Sequence, residues 1–161
     1  MKPAGGVRSA KSLFETFFVG EEGMQYFVKP LVFKKDLKEK AVELQLDFTF
    51  RYKNTVKDSC TINLSFFDAS IIRNIDSMVI SSTKQQMVAR KINVLFAEKT
   101  NKLFNSRFTA KTSFKDLILL SDETDWKVKV YKAGTFTSYY PSQKTTKSLE
   151  LLKDNLFVLF K

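Results

Sequence analysis

The sequence predicts a mainly β protein: an antiparallel β-sandwich or an open barrel of about eight to nine strands, with a C-terminal helix and a flexible basic N-terminal arm. Three observations lead there. Alternation of apolar and polar residues with period two recurs along most of the 161 residues. Polar, turn-forming stretches interrupt it at intervals of roughly ten to fifteen residues. Helical periodicity is confined to two segments in the last third of the chain. The length fits one domain over residues 13–161, preceded by an arm over residues 1–12.

The arm is small and basic, with Lys2, Arg8 and Lys11 among Gly, Ala and Ser. Residues 13–19 read as a strand or a short helix, and Gly20-Glu21-Glu22-Gly23 as a turn. Residues 24–33 are apolar enough for a strand. Pro30 lacks the N–H a ladder needs, which puts that strand at an edge or a bend. The clearest strand spans 42–52. Val42, Leu44, Leu46, Phe48, Phe50 and Tyr52 face one way, and Glu43, Gln45, Asp47, Thr49 and Arg51 the other. After a polar connection over 53–59, Cys60, Ile62, Leu64 and Phe66 resume the pattern, so the two strands form a hairpin. Residues 75–81 give a further short strand. Residues 86–97 and 103–112 read as one long hairpin turned at Thr100-Asn101. Residues 126–132 alternate, and Ala133-Gly134 turns them into 135–140.

Ser113 and Asp116 have the spacing of a capping box ahead of 117–120, predicting a short helix. Leu149, Leu152, Leu156 and Leu159 recur at helical spacing. They predict a C-terminal helix over about 146–160, with Ser148 as its N-cap and Lys161 complementing the dipole at its end. No repeat of fixed period argues for a solenoid or propeller.

The residue inventory narrows the chemistry. There is no histidine, so the chain supplies no Ser-His-Asp triad, no Cys-His pair and no histidine ligand for zinc or haem. Cys60 is the only cysteine, on the apolar phase of its strand, and is expected to be a buried, inert thiol. Asp122, Glu123 and Asp125 form the one dense carboxylate group. They lack the glycine and distal Glu of a calcium loop and read as a polar turn before Trp126. Neither phosphate-binding glycine pattern occurs. We therefore expect no enzymatic activity, no cofactor and no metal.

The longest apolar run, 156–160, falls far short of a membrane span. Glu15 interrupts the apolar residues after the basic start, so no signal peptide is expected, and the expected location is cytoplasmic or within a virion.

Charge and aromatic placement indicate partners. There are 27 Lys and Arg against 17 Asp and Glu, a formal net charge of +10. Only five of the 27 are arginine, which fits diffuse attraction to polyanions better than bidentate reading of bases. Residues 83–116 carry eight basic and two acidic side chains. Candidates for polyanion contact are Lys91, Lys99, Lys102, Arg107 and Lys111 on the hairpin, and Lys127, Lys129 and Tyr131 on a later strand. The same lysines on a solvated sheet face would serve only to discourage edge-to-edge pairing.

Sixteen Phe make up most of the aromatics. Phe48, Phe50, Phe66, Phe96, Phe104 and Phe108 fall on phases that should face the core. Adjacent pairs cannot both face one side of a strand. Phe17, Phe18, Phe67, Tyr139 and Tyr140 are therefore the candidate interface residues. The expected function is a non-enzymatic subunit of a larger protein assembly, homo- or hetero-oligomeric, in the style of bacteriophage ring, connector or head-associated proteins. The alternative is a nucleic-acid-binding β module that uses the basic hairpin.

Overall fold

The computed structural model describes residues 12–35, 43–53, 56–57 and 59–161. The basic arm lies outside these residues except for Ser12, and so does Val42. The chain is mainly β, and among the described residues eleven strands form one antiparallel sheet that curls into a half-barrel. Of the two expected architectures it is the open barrel and not the two-sheet sandwich.

The strands are β1 (Phe14–Phe18), β2 (Met24–Lys34), β3 (Glu43–Lys53), β4 (Val56–Lys57), β5 (Cys60–Asp68), β6 (Ser77–Ser81), β7 (Gln86–Ala89), β8 (Asn93–Thr100), β9 (Leu103–Thr112), β10 (Lys127–Lys132) and β11 (Thr135–Pro141). Their order across the sheet is β7-β6-β10-β11-β2-β3-β5-β9-β8, with β1 on β2 and the short β4 on β3. Two helices, α1 (Phe114–Leu120) and α2 (Gln143–Asn155), complete the fold with a 3-10 turn over Phe157–Phe160.

Alternation sets the faces as the sequence predicts. Leu44, Leu46, Phe48 and Phe50 of β3, and Cys60, Ile62, Leu64 and Phe66 of β5, are buried on the concave side. The ladder between β2 and β3 shifts register between Val28 and Leu31, where Pro30 removes a donor. Two tight turns use positive φ: Asn101 (55°) between β8 and β9, and Ala133 (50°) with Gly134 (80°) between β10 and β11. A two-residue hairpin loop with both central residues at positive φ matches the strand twist, and it fixes the β10–β11 register.

Three expectations change. The long hairpin over 86–97 is broken at Arg90–Ile92. β7 pairs with β6 at one margin of the sheet, and β8 pairs with β9 at the other. Phe96, expected in the core, is consequently exposed on the marginal strand, and Phe104 is only half-buried. The C-terminal helix starts earlier than 146. Ser142, just after Pro141, is its N-cap and accepts from the Thr145 N–H at 3.2 Å. Ser148 lies inside the helix and donates back to the Lys144 carbonyl at 2.9 Å. The helix ends at Asn155, and the 3-10 turn that follows buries Phe157 and Phe160 while Leu159 faces out. α1 does begin at Ser113, whose side chain accepts from the Asp116 N–H at 3.3 Å.

The C-terminal turn plugs one end of the half-barrel. The Phe160 ring lies 5.2 Å from Tyr26, 5.5 Å from Phe50, 4.8 Å from Tyr52 and 5.5 Å from Phe114, mostly edge-to-face. Elsewhere in the core, Trp126 packs edge-to-face on Phe48 and donates its indole N–H to the Glu123 carbonyl at 2.8 Å. Phe160→Ala should therefore lower the unfolding free energy by about 3–5 kcal/mol in urea titrations. Leu159→Ala should change it by less than about 0.5 kcal/mol; equal effects would show that the ring does not fill the core.

Candidate functional site

The link between β7 and β8 organises the surface. Only Arg90, Lys91 and Ile92 carry the chain from one margin of the sheet to the other, so the two margins meet. A cleft of about 790 Å³ lies at the meeting, between β7, the link, the ends of β5 and β9 and the start of α1. Arg90, Lys91 and Lys111 line it together with Thr61, Thr109 and Asp116. The hydroxyls and cations could hold an anion. The buried Cys60 thiol does not line it.

A second feature is an outward-facing row across β3, β5 and β9. Arg107 Nη1 lies 3.0 Å from Asp47 Oδ2 and donates to Ser65 Oγ at 2.6 Å. Asn63 Nδ2 donates to Asp47 Oδ1 at 2.8 Å. Both charged side chains are half-buried and engaged with each other in this row, so Arg107 serves as a strap across three strands and offers little to an external polyanion.

The remaining candidate cations separate into groups. Lys99 and Lys102 lie at the hairpin tip, at the far end of β9 from the cleft. Lys91 and Lys111 share the cleft. Lys127, Lys129 and Tyr131 point outward from β10, as their phase predicts, opposite β11. The Lys127 ammonium sits 5.5 Å above the Tyr140 ring centre, and that of Lys129 4.8 Å above Phe136. A smaller depression of about 360 Å³ lies on this face, and Arg90 and Val88 line both it and the cleft. The two basic regions thus form one continuous surface with Arg90 on the shared rim.

Sequence reasoning missed Arg90 as a site residue, and Phe136. The signal was available for Phe136: a two-residue turn at Ala133-Gly134 forces Tyr131 opposite Phe136 and Lys129 opposite Ser138. Arg90 could not be placed without knowing that the strand breaks beside it.

The candidate interface residues also divide. Phe17 and Phe18 are exposed on β1, and Phe17 packs edge-to-face on Phe27 of β2 at 5.5 Å. Tyr140 is exposed, and Phe67 is half-buried on the convex face. Tyr139 is not an interface residue. It faces inward, buried against Phe66 at 6.0 Å, because its neighbour Tyr140 takes the outward phase. The largest exposed apolar run lies on β8. Val94, Leu95 and Phe96 are 54%, 51% and 42% exposed, around an irregularity in the β8–β9 ladder.

The acidic turn before Trp126 disperses its carboxylates. Asp122 pairs with Lys161, Glu123 with Lys84, and Asp125 accepts from Thr83. Among the described residues, no three metal-ligating side chains converge. No described helix is long and apolar enough to cross a membrane. Comparisons with family models, curated proteins and solved structures find no match for this chain. The functional reading rests on these surfaces.

Two measurements follow from the site geometry. Asp47→Ala should lower stability by about 2 kcal/mol, and Arg107→Ala added to it should cost little more, since the guanidinium has already lost its carboxylate. Two full and additive losses in chemical denaturation would show that the row is not one unit. Burial pushes the Cys60 thiol up from 9.0 to about 12, and the Tyr139 hydroxyl up from 10.0 to about 12. Unfolded, the chain releases these protons near pH 9 and 10; folded, it keeps them to about 12. The stability they contribute is complete below pH 9 and lost as the pH rises to 12, because the unfolded state then binds fewer protons than the native one. Cys60→Ala should make that alkaline decline shallower; an unchanged slope would remove the thiol from the account.

Proposed function

We propose that this chain is a non-enzymatic subunit of a protein assembly, joined to further copies of itself head to tail. The observation that supports this most is a pair of margins on the larger part of the sheet, β1-β2-β3-β5-β9-β8, whose outer edges form no ladder with another strand among the described residues. Both expose Phe, and they carry opposite charge. On the first margin, β1 carries Glu15, which pairs with Lys29 of β2 at 3.7 Å, and the turn that follows carries the exposed Glu21. Residues 90–102, with β8, carry Arg90, Lys91, Lys99 and Lys102 against Glu98.

The exposed Phe17 and Phe18 of one margin complement Val94, Leu95 and Phe96 of the other, and each margin repels its own kind. A β1 margin docked on the β8 margin of a second copy is a heterologous contact, which closes into a ring or continues as a filament. A ring of this kind suits the bacteriophage ring or connector setting expected from the sequence.

Light scattering after size-exclusion chromatography should find an oligomer whose mass falls as salt rises. Phe17→Asp and Phe96→Asp should each give monomers. An equimolar mixture of the two variants should form dimers, because each retains the margin the other lacks. A monomeric parent chain at about 100 µM would overturn the reading, and a mixture that stays monomeric would overturn its head-to-tail form.

A further inference from the structure

We infer that the outer face of β7, β6, β10 and β11 binds single-stranded nucleic acid. The pairing registers lay this face out as three rows. Gln86, Ser81 and Lys127 lie abreast with the Tyr140 ring beside Lys127, and Val88, Val79, Lys129 and Ser138 form the next row. Ser77, Tyr131 and Phe136 form the third, with Arg90 lining the same depression beside Ser77. No acidic residue occurs at these positions. Two carboxylates at its borders are engaged by backbone N–H groups. Asp76 accepts the Ala133 N–H at 2.8 Å, and Asp125 accepts the Thr83 N–H at 3.1 Å.

The arrangement of rings and cations selects the ligand. Phe136 is 56% and Tyr140 40% exposed, and each has a lysine ammonium beside its ring. Between them and Arg90, Ser and Val side chains give a low floor. A base can stack on such a ring while its phosphate meets the neighbouring lysine, the pairing of contacts by which single strands are held. A duplex hides its base faces. An acidic peptide or an anionic bilayer would use the lysines and draw little from the rings. The face spans three strand spacings, about 14 Å, from β11 to β7. Beyond Arg90 the cleft continues it with Lys91 and Lys111, so a backbone crossing the face meets five cations in sequence. The face lies apart from the β1 margin, and its rings and the lysines of β10 take no part in the β8 margin, with which it shares Arg90 and Lys91.

Fluorescence anisotropy of the full chain with labelled dT and rU oligonucleotides of about twelve residues tests this. Binding at 50 mM salt should weaken with a log–log slope of about −2 to −3.5, as three to five phosphates are neutralised on a single strand. Phe136→Ala should weaken binding about 5- to 150-fold, the range for losing one stacked base. Lys129→Glu should weaken it further and flatten the slope. Lys144→Glu, at an exposed position of α2, should do neither. Phe136 is exposed, so an unchanged melting temperature separates lost binding from lost folding.

No binding at 50 mM salt would overturn the inference. So would a duplex of equal length binding as tightly as the single strand, or loss of affinity in Lys129→Glu with none in Phe136→Ala. Retention on anionic phosphatidylserine vesicles with no oligonucleotide binding would reassign the face to a membrane surface.

Discussion

A three-residue link sets the shape of this protein. Laid flat, β7 and β8 would be separated by eight strand spacings, about 38 Å. From Ala89 to Asn93 the chain can reach only about 14 Å. The sheet must curl until its margins nearly touch, and the right-handed twist of strands supplies that curl at low cost. The concave face then becomes a single enclosed core. Its alternating Leu, Ile and Phe need no second sheet to cover them. What they need is closure at the ends, which Phe160 and the helices provide.

The same curl divides the outer surface into regions with different duties. The larger part of the sheet is fastened across its convex face by the Asp47–Asn63–Ser65–Arg107 row, and its most exposed apolar residues lie at its two margins. The smaller part carries rings and cations without carboxylates. Arg90 stands where the two regions meet, because it belongs to the link that brings them together. An arginine that reads in sequence as one more basic residue of a hairpin is in space the junction of two surfaces.

Much of this was legible in the sequence, and the failures have physical causes. β3, β5, β10 and β11 follow from alternation alone, since one face is buried and the other solvated. α1 follows from its cap. The break at Arg90–Ile92 did not follow, because both flanking segments alternate and only long-range pairing decides that they belong to opposite margins. The helix start was misplaced because Ser148 and Ser142 are equal as caps in composition, and only the Thr145 hydroxyl, donating to the Val32 carbonyl at 2.6 Å, ties the earlier start to the sheet. Of the doubled aromatics, Phe66-Phe67 and Tyr139-Tyr140 divide between core and surface, whereas Phe17 and Phe18 are both exposed. Which member of Tyr139-Tyr140 faces the core depended on a register that the two-residue turn had already fixed.

The joint between β11 and β2 consists of two residue pairs, Tyr140 with Lys34 and Pro141 with Phe33. Over a hundred residues of chain separate these partners, and the β6–β10 and β5–β9 pairings are also non-local. Such contacts form slowly, because loop closure must precede the pairing that rewards it. Until the joint closes, each part of the sheet presents its future core to solvent as an open apolar surface. The kinetic hazard of this fold is therefore the interval before its two parts meet, when β3 and β5 resemble aggregation-prone edges more than a finished interior.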